Sequence, residues 1–173
     1  MARDPSTPQR YYDASQERFN EAVSLFALKQ YSGASYLAGC AIEAMFWTFI
    51  PEQEAPGHRG RHDLQRLYEA GLGKKLYAQY NSKFRGGLAS DTPGLQKFEK
   101  RDQEISRYLT ESRLRWTNSY RYYPDALLRS MVNRDPTLRA GATGDVLRTS
   151  VDVLIVACQF FIALGMTKRK WIQ

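Results

Sequence analysis

Residues 31–50 form the longest stretch in which apolar side chains would cover nearly every side of a helix. Several small residues in this stretch would let neighbouring helices approach, and larger side chains such as Phe46 would fill the core around it. We therefore predict a central helix of a bundle here. Glu43 is the only charged residue within it. Because a buried carboxylate needs a partner or solvent, Glu43 either meets an arginine at the bundle edge or lines a polar site.

Apolar positions recur at spacings of three and four residues along much of the remaining chain, which indicates further helices. The short connection between the first two patterns predicts an antiparallel helical hairpin. The predicted additional helices cover residues 11–29, 63–71, 74–80, 95–116, 125–134 and about 145–164.

Residues that favour turns and helix ends set the boundaries between these patterns. Asp63 is a predicted N-cap and Gly71 a predicted helix stop, and Thr143 or Gly144 is expected to cap the last long helix. Asp145 would then lie in its first turn. In the helix over residues 95–116, the predicted core face carries Phe98, Ile105, Leu109 and Leu114. A loop is expected over residues 81–94 and a bend over residues 117–124.

These elements predict an all-α protein, a bundle of four to five helices with short additional helices. The chain of 173 residues fits a single domain, over residues 11–167. Residues 1–10 read as a disordered lead-in and residues 168–173 as a basic tail. Residues 153–166 form the longest apolar run, which is shorter than the ~20 residues that span a membrane. With no apolar leader in residues 1–10, we expect a cytoplasmic protein without membrane association.

Charge and cysteine content add to this picture. The net charge of +7 permits an acidic partner such as a nucleic acid, but a basic, well-solvated surface explains it equally. Cys40 and Cys158 both lie in apolar helical stretches, as expected of free thiols in a reducing compartment.

Arginine and aromatic residues alternate over residues 107–123, the segment with the strongest chemical signal. Arginine offers a planar cationic fork for phosphate, and aromatic rings offer faces on which bases stack. The same composition also suits a protein interface, or a segment in which half the rings are core. As ligand-binding candidates we select Arg115, Tyr120, Arg121 and Tyr122, together with Glu43 and His62.

The two histidines, His58 and His62, do not form a convincing metal site. The residues between them include Gly60 and two arginines, Arg59 and Arg61, which would repel a cation. His62 is expected to orient the following turn by bonding Asp63 or a backbone carbonyl. No glycine-rich phosphate loop or nucleophile motif is present, so the sequence predicts neither a metal nor a cofactor.

Three segments together resemble HEPN domains, the helical nucleotide-binding domains of higher eukaryotes and prokaryotes. YSGASYLAGCAIEAMFW resembles their second helix, RHDLQRLYEAG the segment that follows it, and SYRYYPD the segment before their last helices. The resemblance covers residues 11–166. It implies an all-α bundle, often homodimeric, that acts either as a metal-independent ribonuclease or as a non-catalytic module beside a small nucleotidyltransferase. Toxin–antitoxin and defence systems are the settings it implies.

The ribonuclease branch of that family carries an Arg, four to six intervening residues, and then a His. In this chain, counting forward from Arg115, the position where that histidine would stand is Tyr120, Arg121 or Tyr122. A tyrosine, with an ordinary pKa near ~10, is a poor base at neutral pH. We therefore predict a non-catalytic module that binds a nucleotide, RNA or a nucleotidyltransferase. The alternatives are an atypical ribonuclease using Arg115 or Arg121 with Tyr122 and Glu43, and a structural dimeric scaffold.

Overall fold

A computed structural model describes residues 7–58, 62–84, 92–140, 142 and 144–168. Across these residues the regular structure is helical and contains no strand, which confirms the all-α prediction. The α-helices are α1 (Thr7–Ala27), α2 (Tyr31–Trp47), α3 (Leu64–Tyr68), α4 (Lys74–Phe84), α5 (Thr92–Arg115), α6 (Asp125–Arg134), α7 (Pro136–Arg139) and α8 (Val146–Lys168). Two 3₁₀ segments, Ala55–His58 and Asn118–Tyr122, and a π-helical turn, Glu69–Gly73, complete the described elements.

Helix α2 lies at the centre of the bundle, as its composition predicts. It packs against α1, α8, α3 and the 3₁₀ segment Asn118–Tyr122. Phe46 of α2 meets Phe161 of α8 edge to face, with 5.0 Å between ring centroids. Gly165 of α8 lets the two helices approach, because a Cβ there would lie 2.1 Å from Sδ of Met45. Helix α8 is therefore the second central helix.

Helices α1 and α2 form the predicted hairpin. Lys29 adopts the left-handed conformation with φ of 60°. The N–H of Gln30 donates to the Leu25 carbonyl at 2.9 Å and that of Lys29 to Phe26 at 3.0 Å. These two bonds satisfy carbonyls at the end of α1 and reverse the chain within three residues.

Two helices begin earlier than the sequence predicted. Helix α1 begins at Thr7, so the predicted disordered lead-in is wrong for residues 7–10, and residues 1–6 lie outside the described part. Helix α5 begins at Thr92, and α4 extends to Phe84, so the predicted loop over residues 81–94 is too long; residues 85–91 are not described. Pro8 and Pro93 sit in first turns, where their missing N–H costs no helical bond.

The prediction that Gly71 stops a helix is wrong. Residues 64–84 are helical throughout, with the π-helical turn Glu69–Gly73 in the middle. A Cβ on Gly71 would lie 2.8 Å from the backbone oxygen of Phe46. The glycine therefore serves the close approach of this segment to α2.

The buried face of α5 was predicted correctly at Ile105 and Leu109 but not at Leu114. Leu114 is 42% exposed, while Ser112 and Trp116 are buried. The hydroxyl of Ser112 donates to the Tyr108 carbonyl at 2.8 Å, so the helix itself satisfies this buried polar group.

Helix α6 has the predicted bounds. Asp135 ends it in an extended conformation and also caps α7, where it accepts from the N–H groups of Thr137 and Leu138. Similarly, Asp145 is the N-cap of α8 rather than a first-turn residue, since it accepts from the N–H of Arg148 at 3.2 Å. Thr143 lies outside the described residues. Lys168 ends α8, and residues 169–173 of the predicted tail are not described.

Helix α8 is long and apolar enough to cross a membrane by length and composition alone. Half of its most apolar window is buried inside the molecule. Its composition is therefore also that of a central bundle helix.

Candidate functional site

A polar cavity of about 420 Å³ opens between α1, α2 and the 3₁₀ segment Asn118–Tyr122. We call it the arginine cavity, because two arginines from different parts of the chain line it. Its lining residues are Tyr11, Ala14, Arg18, Tyr36, Cys40, Glu43, Ala44, Trp47, His62, Asn118 and Arg121.

Helix α2 supplies one side of the arginine cavity through a stripe of polar and aromatic residues. Tyr36, Cys40, Glu43 and Trp47 follow one another at spacings of four, three and four. This spacing places them on a single face of a helix. The apolar residues of α2 occupy its other sides, so the central helix carries one polar face toward the cavity.

Helix α1 supplies the opposite side with Tyr11, Ala14 and Arg18, which share a face at the same helical spacing. The Tyr11 ring stacks on that of Trp47, with 5.6 Å between centroids and an interplanar angle of 22°. Ala14 keeps the cavity open between the larger side chains. The arginine cavity therefore combines a stacked aromatic pair with a guanidinium group.

The 3₁₀ segment that carries Arg121 is fixed to α2 by Trp116. The indole Nε1 donates to the backbone oxygen of Tyr36 at 3.2 Å. A Cβ on Gly39 would lie 2.0 Å from Cδ1 of Trp116, so only glycine permits this packing. The Ser35 hydroxyl also approaches the Arg115 carbonyl at 3.5 Å. These contacts position Arg121 beside Tyr36.

Glu43 and His62 form a bonded pair at the edge of the arginine cavity. Nδ1 of His62 lies 3.1 Å from Oε1 and 3.0 Å from Oε2 of Glu43. The Glu43 side chain is 16% exposed and that of His62 is 41% exposed. Glu43 therefore lines a polar site, the second of the two alternatives left open by the sequence, and its partner is His62 rather than an arginine.

The expected partner of His62 was also wrong. Asp63 instead caps α3, where it accepts from the N–H groups of Gln65 at 3.0 Å and Arg66 at 3.3 Å. This cap fixes the backbone just after His62, while Glu43 bonds the imidazole itself.

Tyr36 and Cys40 of the arginine cavity both have a raised pKa. Interaction with the Cys40 thiol and partial burial raise the pKa of Tyr36, although the nearby Arg121 guanidinium opposes this. Burial raises the pKa of Cys40, with the Glu43 carboxylate adding to the effect. Cys40 is therefore a thiol rather than an activated thiolate.

The described lining residues of the arginine cavity include two arginines and one carboxylate. Within the described chain, neither Arg18 nor Arg121 forms an ion pair with a carboxylate. Arg121 lies over the Tyr122 ring, with 4.6 Å from its Cζ to the centroid. The carboxylate of Glu43 is already bonded to His62. Two guanidinium groups therefore remain available to an anion.

Of the six residues selected from the sequence, Glu43, His62 and Arg121 line the arginine cavity. Arg115 does not: its side chain is only 11% exposed and pairs with Glu111 of the same helix. Tyr120 is also absent from it, being 8% exposed in a hydrophobic cluster with Leu128 and Val132. Burial raises the pKa of Tyr120, as expected of a core phenol.

Tyr122 also lies outside the arginine cavity. It is 70% exposed, and the Arg121 guanidinium lies over its ring. A stacked guanidinium loses less freedom when it binds, so Tyr122 positions Arg121 rather than touching the cavity itself.

Sequence reasoning missed Arg18, Tyr36 and Cys40. The spacing of Tyr36, Cys40, Glu43 and Trp47 was a usable signal, because it sets polar groups on one face of an otherwise apolar helix. Arg18 carried no such signal, since α1 has many charged residues and only packing shows which one faces α2.

The described residues contain no group of three or more histidine, cysteine or acidic side chains that could hold a metal ion. Comparisons with family models, curated proteins and solved structures found no match to this chain. The resemblance to HEPN domains therefore rests on the three sequence segments alone.

Proposed function

We propose that this protein is a non-catalytic helical module that binds a nucleotide or a single-stranded RNA segment in the arginine cavity. The observation that carries the proposal is the meeting of Arg18 and Arg121 at a cavity that also holds Tyr11, Tyr36 and Trp47. Guanidinium groups bind phosphate, and aromatic rings stack with bases. The volume of about 420 Å³ lies within the range of small-ligand sites.

The resemblance to HEPN domains extends the proposal to partners. We propose a homodimer that associates with a small nucleotidyltransferase in the bacterial or archaeal cytoplasm, in a toxin–antitoxin or defence setting. This part depends on the sequence segments quoted above and not on the geometry of the cavity.

Equilibrium binding of a fluorescein-labelled oligouridine and of labelled ATP tests the site. We expect Arg121→Ala and Arg18→Ala each to weaken binding about tenfold, the effect of losing one charge-assisted hydrogen bond. Arg134→Ala is the matched control, because Arg134 is exposed on α6 and does not line the cavity. Equal affinities for all three variants would contradict the proposal.

A second candidate function, metal-independent RNA cleavage, is favoured by the Glu43–His62 pair. A carboxylate that bonds one ring nitrogen fixes the tautomer and orientation of a histidine, which can then act as a general base. His62 would take the proton of a ribose 2′-hydroxyl while the new O–P bond forms. The P–O5′ bond would then break, and the protonated His62 would return its proton to the leaving 5′-oxygen through a water molecule. Arg121 would stabilise the charge on phosphorus.

Incubation of RNA with the protein in EDTA separates the two candidate functions. Cleavage that His62→Ala abolishes and Arg134→Ala preserves would establish the ribonuclease and displace the non-catalytic proposal. Binding without cleavage, weakened in Arg121→Ala, supports the module.

A further inference from the structure

A second cavity, of about 610 Å³, lies between the π-helical turn Glu69–Gly73, α4 and α5. We call it the aromatic–acidic cavity. None of its lining residues belongs to the arginine cavity. Its aromatic and acidic members are Tyr68, Tyr77, Tyr80, Phe98, Glu69, Glu99 and Asp102.

The π-helical turn shapes one wall of this cavity. A Cβ on Gly73 would lie 2.8 Å from the Tyr68 ring and 2.9 Å from its backbone oxygen. The glycine therefore allows the Tyr68 ring to lie directly against the turn. Single π-helical turns of this kind occur often at functional sites.

Aromatic rings form most of the apolar surface of the aromatic–acidic cavity. The rings of Tyr80 and Phe98 lie 4.4 Å apart between centroids, tilted by 35°. Tyr68 meets Phe46 of the core edge to face at 5.6 Å, which anchors it. Tyr77 is 61% exposed, unusual for so large a ring. Rings gathered in this way attract cations through the negative charge of their faces.

The charge of the aromatic–acidic cavity is opposite to that of the whole protein. Three carboxylates line it in a chain of net charge +7. Lys74, the one cation among its described lining residues, already donates to Glu54 at 2.7 Å. Glu69 accepts from the neutral amide of Gln65, which brings no positive charge to it, and it forms no ion pair within the described chain.

Glu99 and Asp102 form no ion pair with a cation of the described chain. They stand three residues apart on α5, where like charges are neighbours and repel each other. Burial, with the charges of Asp102 and Glu69, raises the pKa of Tyr68 to about 12, so the phenol stays neutral beside them. A bound cation would relieve this repulsion.

We propose that the aromatic–acidic cavity binds an organic ammonium ion, with the charge over the aromatic rings and balanced by Glu99 and Asp102. A metal cation fits less well, because aromatic faces offer it no oxygen ligands. An alkylated or extended ammonium ion instead buries its apolar part against the rings and keeps its charge beside the carboxylates.

Calorimetric titration of the full protein with choline, spermidine and the neutral choline isostere 3,3-dimethylbutan-1-ol tests the proposal. We expect choline to bind at least about tenfold more tightly than the neutral alcohol. Tighter binding of choline than of spermidine would assign the site to alkylated ammonium ions, and the reverse order to polyamines. Equal affinity for choline, spermidine and the alcohol would overturn the proposal.

Charge-removing variants locate the binding. Glu99→Gln and Asp102→Asn should each weaken binding of the preferred cation, choline or spermidine, about threefold to tenfold. Glu21→Gln, at an exposed position of α1, is the matched control and should bind as the unmodified protein does. The Arg121→Ala variant should also bind the cation with unchanged affinity, so this test is independent of the arginine cavity. Unchanged binding in both α5 variants would place the cation elsewhere and contradict the proposal.

Discussion

Single residues show how a charged group can lie on a central helix at low cost. Glu43 is tolerated on α2 because His62 bonds both of its oxygens and because the cavity beside it is polar. Asp145 is likewise satisfied twice, by Arg129 at 2.6 Å and by the N–H of Arg148 at 3.2 Å. In both cases the partner, rather than exposure alone, compensates the loss of hydration.

The two cysteines should react very differently with maleimide. Cys40 is partly buried at the arginine cavity and Cys158 is fully buried, and burial raises the pKa of both thiols. Cys40 should therefore react more slowly than free cysteine at neutral pH, and faster as the pH rises from about 7 to about 9. Cys158 should not react in the folded protein. Peptide mass spectrometry measures both.

Ligand protection makes this reaction a test of the site. A nucleotide or RNA bound in the arginine cavity should slow the alkylation of Cys40. Saturating ligand that leaves the rate at Cys40 unchanged would show that binding occurs elsewhere.

Asp145 should stabilise the protein in a pH-dependent way. The hydrogen bond from Arg129 is the main cause that lowers the pKa of Asp145 in the folded state. Its contribution is therefore present above the ordinary value of about 4 and disappears as the pH falls through the lowered folded pKa. Asp145→Ala should cost about 1 kcal/mol of unfolding free energy at neutral pH, since the α8 cap is lost. Urea unfolding measures this.

Asp145→Asn separates the cap from the ion pair. Asparagine keeps the capping oxygen and removes only a half-exposed ion pair, so it should cost less than about 1 kcal/mol. The loss of unfolding free energy in Asp145→Asn, relative to the unmodified protein, should vanish in acid. A loss that persists at low pH would show that the Arg129 contact is not responsible.

Among the elements, the junction between α2 and the end of α5 controls the site. Trp116 lies against Gly39 and carries the chain into the 3₁₀ segment that holds Arg121. The arginine cavity is therefore built by helix packing, although its chemistry comes from side chains.

Gly39→Ala should destabilise the protein and disturb the arginine cavity. The added methyl would lie 2.0 Å from the Trp116 ring, which must move. Overpacking of this kind costs about 1–3 kcal/mol, against a gain of up to about 1 kcal/mol from helix propensity. The free energy of unfolding, measured in urea, and the affinity for RNA should both fall.

Gly33→Ala is the control on the same helix. Its added methyl would meet only the flexible side chain of Leu25, with Cδ1 at 2.9 Å and Cγ at 4.0 Å. We expect a change within about 0.5 kcal/mol. Equal stability of the two alanine variants would contradict the role given to Gly39.

Local sequence rules succeeded where a boundary depends on the chain itself. Pro124 and the Asp135–Pro136 pair frame α6 so sharply that its bounds were predicted to the residue. Local sequence rules failed where packing between distant segments determines a helix boundary or a buried face. Gly71 was misread because its contact with Phe46 is not local, and Leu114 because the face of α5 is set by its neighbours.

The same distinction applies to the candidate site. Arg115 and Arg121 have similar sequence surroundings, yet one is buried beside Glu111 and the other lines the arginine cavity. Glu43 was found because a lone charge in an apolar helix is conspicuous. Arg18 could not be found, because only the α1–α2 packing brings it to the site.

On the scale of the whole molecule, the two cavities have opposite charge character. The arginine cavity carries the guanidinium groups of Arg18 and Arg121, and the aromatic–acidic cavity carries three carboxylates. A protein of net charge +7 would attract RNA over much of its surface, so affinity alone does not locate the site.

The salt dependence of RNA binding is the most direct test of the central claim, that Arg18 and Arg121 hold phosphate. The dissociation constant of a fluorescein-labelled oligouridine would be measured over a range of salt concentrations. Each phosphate contact to a single strand contributes about 0.7 to the slope of log K against log salt. Arg18→Ala and Arg121→Ala should each reduce the magnitude of this slope by about 0.7, and the double variant should reduce it by about 1.4. Arg134→Ala should leave it unchanged. Equal slopes for all the variants would contradict the account.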